Sequence, residues 1–443
     1  MAPSPFRSAF NIRSVPLLSR RQALSALIGA GFATGAALRL GAAAATTPGR
    51  QADDDFLDDL ERAAALYFWE ASDPLTGLVK DRTRADGSPD SREIASIAAT
   101  GFGLTALCIA DKRRYFDRKK VRERVTTTLR FLWEKLPHEH GFYFHFINAR
   151  TGDREWKSEL SSIDTSLLLC GVLTARQHFN DREIRRLATQ IYERVDWPWM
   201  LNGGDAFSHG WHPEKGFIKN RWDHYSELMM IYLLAIGSPT HPVSPATWEA
   251  FTRPQFEYEG IRYINSPAPL FIHQYSHAWF DFRRKRDRHA DYFENSVRAT
   301  KAHLRFCLSL RPRFPHFSED LWGITASDGA KGYFAWGGPP EQGKLDGTVV
   351  PCAAAGSLPF LPKECLRTLR AIRERFGDAV WKRYGFIDAF NPQTGWFAPD
   401  VIGIDVGISM LMAENARSGF IWEVFMKNRE IRTAMDRAGF MRF

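Results

Sequence analysis

The chain has 443 residues, 44% of them hydrophobic and 13% aromatic, with 14 Trp. That is ample for a large core and too long for a typical compact domain unless the architecture is a barrel or toroid. The formal charge of +8 falls to +3 without residues 1–45, which carry Arg7, Arg13, Arg20, Arg21 and Arg39 and no acid, so the remainder lacks the basic footprint of a nucleic-acid binder.

Residues 1–45 read as a targeting segment. Ser19, Arg20 and Arg21 open a run rich in Ala and Gly that lasts to about Leu38, and Ala42 to Ala45 supply small residues for cleavage. These are the charged, apolar and small-residue regions of a signal peptide. The paired arginines resemble a twin-arginine signal, with Ala23 where Phe is usual. A retained membrane anchor is the alternative, although the run is short and Arg39 interrupts it. The expectation is a periplasmic or secreted protein with no stable membrane insertion after signal removal.

Residues 46–52 read as a polar linker and 53–443 as one domain. Helical spacing runs through 53–72, where Phe56, Leu60, Ala64 and Phe68 share a stripe, and through 93–111, 118–136, 158–179 and 181–195. It returns over 223–237, 270–283, 288–310, 363–376, 403–417 and 419–438, and in shorter runs over 244–252 and 347–357. This predicts about a dozen helices. Period-2 alternation marks mainly Gly141 to Phe146, which suits a hairpin. The loops 73–92, 137–157, 197–222, 253–269, 311–347 and 384–402 are long and rich in Gly, Pro, Trp, Asp and His, and long loops in a domain are usually functional. An all-α fold, an (α/α)6 barrel with its loops forming a cleft at one mouth, accommodates this pattern. Periodicity alone leaves an irregular all-α fold equally open.

Cys108, Cys170, Cys307, Cys352 and Cys365 form no CxxC pair or zinc spacing. They read as buried free thiols, which suits export after folding. His273 and His277 stand i, i+4 with Asp281 and Asp287 nearby, but no Glu follows the first His as in HExxH, and no metal is expected. GxSxG and GxxxxGK[ST] motifs are absent.

Two acids stand on apolar helical faces. Asp164 shares a stripe with Leu160, Leu167, Leu168 and Gly171, and Glu227 a face with Met230, Ile231 and Leu234. A lone ionised carboxylate there is costly unless it is paired or used, so a buried ion pair competes with a catalytic role. Glu159 lies just over a turn before Asp164. Glycoside hydrolysis requires two carboxyls, one to protonate the leaving oxygen and one to activate water or attack. Trp222, Tyr225, Trp279, Trp322, Tyr333 and Trp336 are candidates for sugar stacking. Asp328 and Asp346 sit in turns and suit sugar hydroxyls. Asp400 and Asp405 flank a loop–helix junction, where sugar contact and N-capping compete.

Several blocks together resemble the bacterial glycoamylase-like domain family, which includes the β-1,2-glucanases of glycoside hydrolase family 144. They include Tyr225 to Leu228 with Leu234 to Pro242, His277 to Phe282, Asp291 to Ser296 and Trp322 to Gly329. They continue with Asp346 to Thr348, Ala353 to Phe360, Tyr384 to Asn391 and Asp400 to Asp405. The resemblance runs from about Asp53 to Phe440. It implies an (α/α)6 barrel whose cleft hydrolyses a β-glucan, β-1,2-glucan above others, with inversion and without metal or other cofactor. It also implies that Glu227 and Asp164 are the essential acids. The mechanism expected from these residues has one of the two protonate the glycosidic oxygen and the other activate water directly or through a relay, with Glu159 assisting. A non-catalytic glucan-binding or envelope-glucan assembly protein, a transglycosylase, or a hydrolase of another glucan are the alternatives on the same fold.

Overall fold

A computed structural model describes residues 48–266 and 269–443; the targeting segment expected over 1–45 lies outside them. Helix α1 spans Pro48–Glu70, so most of the stretch read as a linker is helical. A proline in the first turn costs little, because its missing N–H has no intrahelical partner there.

Short polar side chains set where the other long helices begin. Ser96 accepts from the Ala99 N–H at the head of α2 (Ile97–Arg113). Asp117 does the same for α3 (Arg118–Glu134), Ser161 for α4 (Ser162–His178) and Asp181 for α5 (Arg182–Glu193). Each such cap satisfies an N–H that the helix itself leaves open. The chain continues through α6 (Trp197–Leu201), α7 (Met229–Gly237), α8 (Tyr275–Trp279), α9 (Tyr292–Ser309), α10 (Pro351–Ala355) and α11 (Pro362–Phe376). It ends with α12 (Gly403–Arg417), α13 (Phe420–Phe425) and α14 (Arg429–Arg437).

Burial sorts these helices into two rings. In α2 every residue from Ile97 to Asp111 is buried, and α4, α7, α8, α10 and α12 are likewise buried on nearly all sides. A helix buried all round belongs inside. Around them α1, α3, α5, α9, α11 and α14 each bury one stripe; α3, for example, buries Val121, Val125, Leu129 and Leu132 and leaves its basic face in water. Helix α2 packs on α4 and α12, α4 on α7, α12 on α8 and α10, and α1 closes against α12. The result is the (α/α)6 barrel.

The departures from expectation have local causes. The predicted helix 270–283 is a 3-10 turn (Leu270–His273) followed by the five residues of α8, because Gln274 leaves ideal geometry and Phe280 turns extended. The helix expected over 419–438 is split into α13 and α14 at Met426 to Asn428, where the Asn428 side chain binds Leu173 and Arg176 instead of continuing the helix. Residues 141–146 do form strands, but not with one another. Phe142–Tyr143 pairs with His138–Glu139, and Phe146–Asn148 pairs with Ile94–Ser96. Small two-stranded ladders of this kind brace several long loops.

Candidate active site

The inner helices begin at one mouth, and their first turns supply the floor of a cleft of about 390 Å³. Ser96 caps α2, Asp164 lies in the first turn of α4, Glu227 stands two residues before α7, Tyr275 opens α8 and Ile404 lies in the first turn of α12; all line this cleft. Helix N-termini carry partial positive charge and favour anions, so the architecture itself suits a carboxylate-rich site.

Glu227 does not lie on the helix expected over 223–237. It occupies the turn before α7, whose first helical residue is Met229. That turn is fastened from α8, since Ser276 Oγ donates to the Glu227 carbonyl at 2.6 Å and accepts from the Met230 N–H at 3.1 Å. The side chain is half-buried, with its carboxyl enclosed at the cleft floor. Burial, reinforced by the negative charge of Asp164, pushes its pKa up to about 7.

Asp164 accepts from Ser161 Oγ at 2.5 Å, while its own N–H caps onto that hydroxyl at 3.1 Å. Its other oxygen is 3.6 Å from His145 Nε2, and His145 Nδ1 lies 3.1 Å from Glu159 Oε1. Burial by itself would lower the histidine pKa, but Asp164 and the hydrogen bond to Glu159 outweigh it and raise it to about 9. The ring is therefore an imidazolium at neutral pH. Burial opposes ionisation of Glu159, yet the bond to His145 holds its pKa below the ordinary value. One ligand atom from each of His145, Glu159 and Asp164 lies within 4.8 Å of the others. With the ring protonated, the histidine is itself the cation that balances the two carboxylates.

His145 was not singled out from sequence. Its signal was the alternation of 141–146, in which it follows Tyr143 on one face. Arg82 is a second unforeseen member. It bonds Asp81 at 3.0 Å and takes both oxygens of Asp328, at 2.9 and 3.0 Å. Trp156 is a third: it lines the cleft, is 65% exposed and packs 4.9 Å from Phe146. Trp156 and Lys157 both have positive φ, 53° and 50°, a conformation that costs non-glycine residues energy and that surrounding structure must enforce.

The other expected binding residues divide. Tyr333, 50% exposed, lines the cleft, and Asp328 stands beside it through Arg82. Trp222 is half-buried, stacks on His209 at 4.1 Å and donates to Ser162 Oγ at 2.9 Å, just outside the cleft lining. Tyr225, Trp279 and Trp322 are core residues, fully buried, and so unavailable for stacking on a sugar. Tyr225 bonds His273, and Trp279 packs on Phe102 and donates to Thr105. Asp400 is consumed by Arg92, at 2.5 and 3.0 Å, and by Arg84, so it is an ion-pair partner and not a free sugar ligand. Asp405 lies behind the cleft wall, buried beside Asp388 and Cys352. Burial, together with the neighbouring Asp405, holds Asp388 well above the carboxylate range. Trp336 and Asp346 line a different cavity.

His273 and His277 are buried and neutral, since burial lowers each to about 3. They bond Asn265 and Ser296 respectively, while Asp287 accepts from Trp248.

The glycoamylase family, described as "Putative glucoamylase", matches residues 219–429. An exo-β-1,2-glucooligosaccharide sophorohydrolase of Parabacteroides distasonis is 28% identical over 87% of the chain, and the chain spans 58% of that curated relative's length. A solved structure from Bacteroides uniformis that bears the family description superposes with a TM-score of 0.82 at 30% identity, over 88% of this chain and 98% of that one. An endo-β-1,2-glucanase of Chitinophaga pinensis, solved with sophorotriose and glucose, gives 0.82 at 26% identity over the same shares. With the barrel and the mouth-end carboxylates described above, these likenesses mean that the chain belongs to the glycoamylase-like family.

Proposed function

We propose that the protein is a glycoside hydrolase of β-1,2-linked glucan that works with two carboxyls and inversion at the anomeric carbon. The observation that carries this is the pairing of Glu227 with Asp164 in one cleft. Glu227 is raised to about 7, so a large fraction is protonated at neutral pH and able to donate to a leaving glycosidic oxygen. Asp164, oriented by Ser161 and facing the His145 imidazolium, is the carboxylate that takes a proton from water. Glu159 acts through His145, holding the ring in the orientation that serves Asp164. Cleavage passes one proton from Glu227 to the departing sugar oxygen and one from the attacking water to Asp164, and solvent restores both. Tyr333 and Trp156 offer rings at the rim for pyranose faces.

The choice of β-1,2-glucan rests on what the sophorohydrolase and the endo-β-1,2-glucanase act on. Export is part of the same proposal. All five cysteines are free and buried, as suits a protein that folds before it crosses a membrane, and no helix among the described residues is long and apolar enough to span one.

The test is Glu227→Gln against β-1,2-glucan, with β-1,3- and β-1,4-glucans as controls. The parent should release new reducing ends from the β-1,2 polymer alone. The variant should lose at least about 10³-fold in turnover while keeping its far-UV circular dichroism. Near-normal turnover by the variant removes Glu227 from the mechanism. Binding without cleavage by the parent indicates a glucan-binding protein instead.

A further inference from the structure

A second cavity, of about 560 Å³, lies beside the hairpin Ser327–Gly329/Gly332–Phe334. Successive strand residues point to opposite faces, and here Tyr333 lines the catalytic cleft while Phe334 lines the second cavity. One hairpin thus forms a wall of both. Its volume falls within the roughly 300–1,000 Å³ of small-molecule sites.

The second cavity is built from rings and hydroxyl-binding groups. Trp396 is half-buried on the strand Trp396–Phe397, paired with Phe390–Asn391. Trp336 is fixed by donation of its indole N–H to Ser327 at 2.9 Å and packs 4.7 Å from Phe334. The polar rim is held in place by its own bonds: Asn391 Nδ2 donates to the Asp346 carbonyl at 2.9 Å, and Asp346 Oδ1 accepts from the Thr348 N–H at 2.9 Å. Asp346 Oδ2 receives no hydrogen bond from the described residues, and Asp346 is exposed to solvent. Thr348, only 3% exposed, lines the cavity, and its Oγ1 has no hydrogen-bond partner among the described residues. That hydroxyl is enclosed, so the polar groups the cavity presents openly are Asp346 Oδ2 and the ammonium groups of Lys331 and Lys344. The half-buried Trp396 and Phe334 rings offer faces for a pyranose, and the oriented Asp346 carboxylate with the exposed ammonium groups of Lys331 and Lys344, the latter 5.1 Å over the Phe334 ring, offers acceptors and donors for its hydroxyls, which is the chemistry of carbohydrate recognition.

We infer that this cavity is a second carbohydrate site, which holds a distant stretch of the same glucan chain whose scissile bond lies in the catalytic cleft. The inference rests on the glucan reading above and extends it to long substrates. Its probes are long-chain β-1,2-glucan and a β-1,2-oligosaccharide short enough to fill only the cleft, titrated calorimetrically into the Glu227→Gln chain. Adding Trp396→Ala should weaken long-chain binding about tenfold and leave the short ligand unchanged. Adding Asp346→Asn instead, which keeps the bond to the Thr348 N–H and removes only the rim charge, should weaken long-chain binding about threefold with no loss of thermal stability; this separates binding from misfolding. Unchanged long-chain affinity in both variants, or an equal loss for both ligands, overturns the second site. Should the parent cleave no β-1,2-glucan, affinity electrophoresis in gels of other soluble glucans isolates the inference. Retardation that the parent shows and Trp396→Ala lacks keeps the second site while the substrate reading falls; equal mobility of the two in every gel overturns it.

Discussion

Under the proposed mechanism Glu227 couples catalysis to stability. Its folded pKa of about 7 lies above the ordinary 4.5, so the native state holds a proton that the unfolded chain releases earlier. The stabilisation from this group is fully present below about pH 4.5 and is lost as pH rises through about 7. Two outcomes are expected. Turnover of the parent should fall along a basic limb with an apparent pKa near 7, measured as kcat/KM against pH. Glu227→Gln, which has no proton to lose, should gain about 2 kcal/mol over the parent in urea unfolding near pH 9 and almost nothing near pH 4. A pH-independent difference would mean that the carboxyl titrates normally. The neighbouring histidine makes a complementary case. His145→Gln removes the cation between Glu159 and Asp164, leaving two carboxylates facing each other. It should cost about 10²-fold in kcat with little change in KM, and should move the acid limb upward, because like charges resist ionisation. Asp164 was legible in the sequence because a carboxylate on an apolar helical stripe is anomalous; Glu227 was reached by the same argument although it stands in the turn before α7 and on no helical stripe. His145, Arg82 and Trp156 were not, because each gains its meaning from a partner distant in the chain or from a backbone conformation that no composition signals. Tyr225, Trp279 and Trp322 misled for the converse reason: an aromatic beside a polar loop reads the same whether its ring meets sugar or core.

Among the elements, the long amphipathic helices were readable to within a few residues, as in α3, α5 and α11, because one buried stripe against one wet face is a strong periodic signal. Helix α12 was placed at its observed bounds, 403–417. Of the inner helices, α7 and α8 were harder, since a short helix buried on all sides has little period to read. This is why 223–237 shrank to α7 and 270–283 broke into α8 and a 3-10 turn. The tightness of the inner ring is set by glycine. A Cβ on Gly171 would lie 2.1 Å from the Gly101 carbonyl oxygen, and one on Gly101 would lie 2.4 Å from the Leu167 carbonyl oxygen. Both neighbours are backbone and cannot rotate away. An alanine in a helix gains about 1 kcal/mol over glycine by propensity, but forcing α2 and α4 apart costs about 1–3 kcal/mol or more. Gly171→Ala should therefore be destabilised by up to about 2 kcal/mol in urea unfolding, with a reduced kcat because Ser96 and Asp164, at the heads of these same two helices, separate. Unaltered stability would show that the helices have room to part.

At the scale of the whole barrel, the carboxylate-lined cleft and the closure of the ring occupy opposite ends. The inner helices start at the cleft, so their C-terminal ends lie away from it, and there an ion network joins the first and last helices of the ring. Arg417, at the end of α12, is 3% exposed in its side chain; it reaches Asp54 at 2.8 Å, Asp58 at 3.2 Å and the buried Glu61 at 2.6 Å on α1. From the end of α2, Arg113 reaches Glu61 at 3.7 Å and Glu414 of α12 at 2.8 Å, and Lys112 reaches Glu414 at 2.7 Å. Residues more than three hundred positions apart thus close the toroid, which no local sequence pattern reveals. A buried pair is weak evidence of net stabilisation, because desolvation offsets attraction, but stripping one partner leaves the other charge stranded. Arg417→Met should cost about 3–5 kcal/mol, read from urea unfolding. Pairing it with Glu61→Leu should recover part of that loss, because the stranded charge is then gone. The location adds a sharper condition: at low temperature, where the destabilised chain is still folded, kcat and KM should match the parent, because the network does not touch the cleft. A fall in kcat under conditions where circular dichroism reports full folding would show instead that closure of the ring also sets the geometry of Glu227 and Asp164 at the opposite mouth.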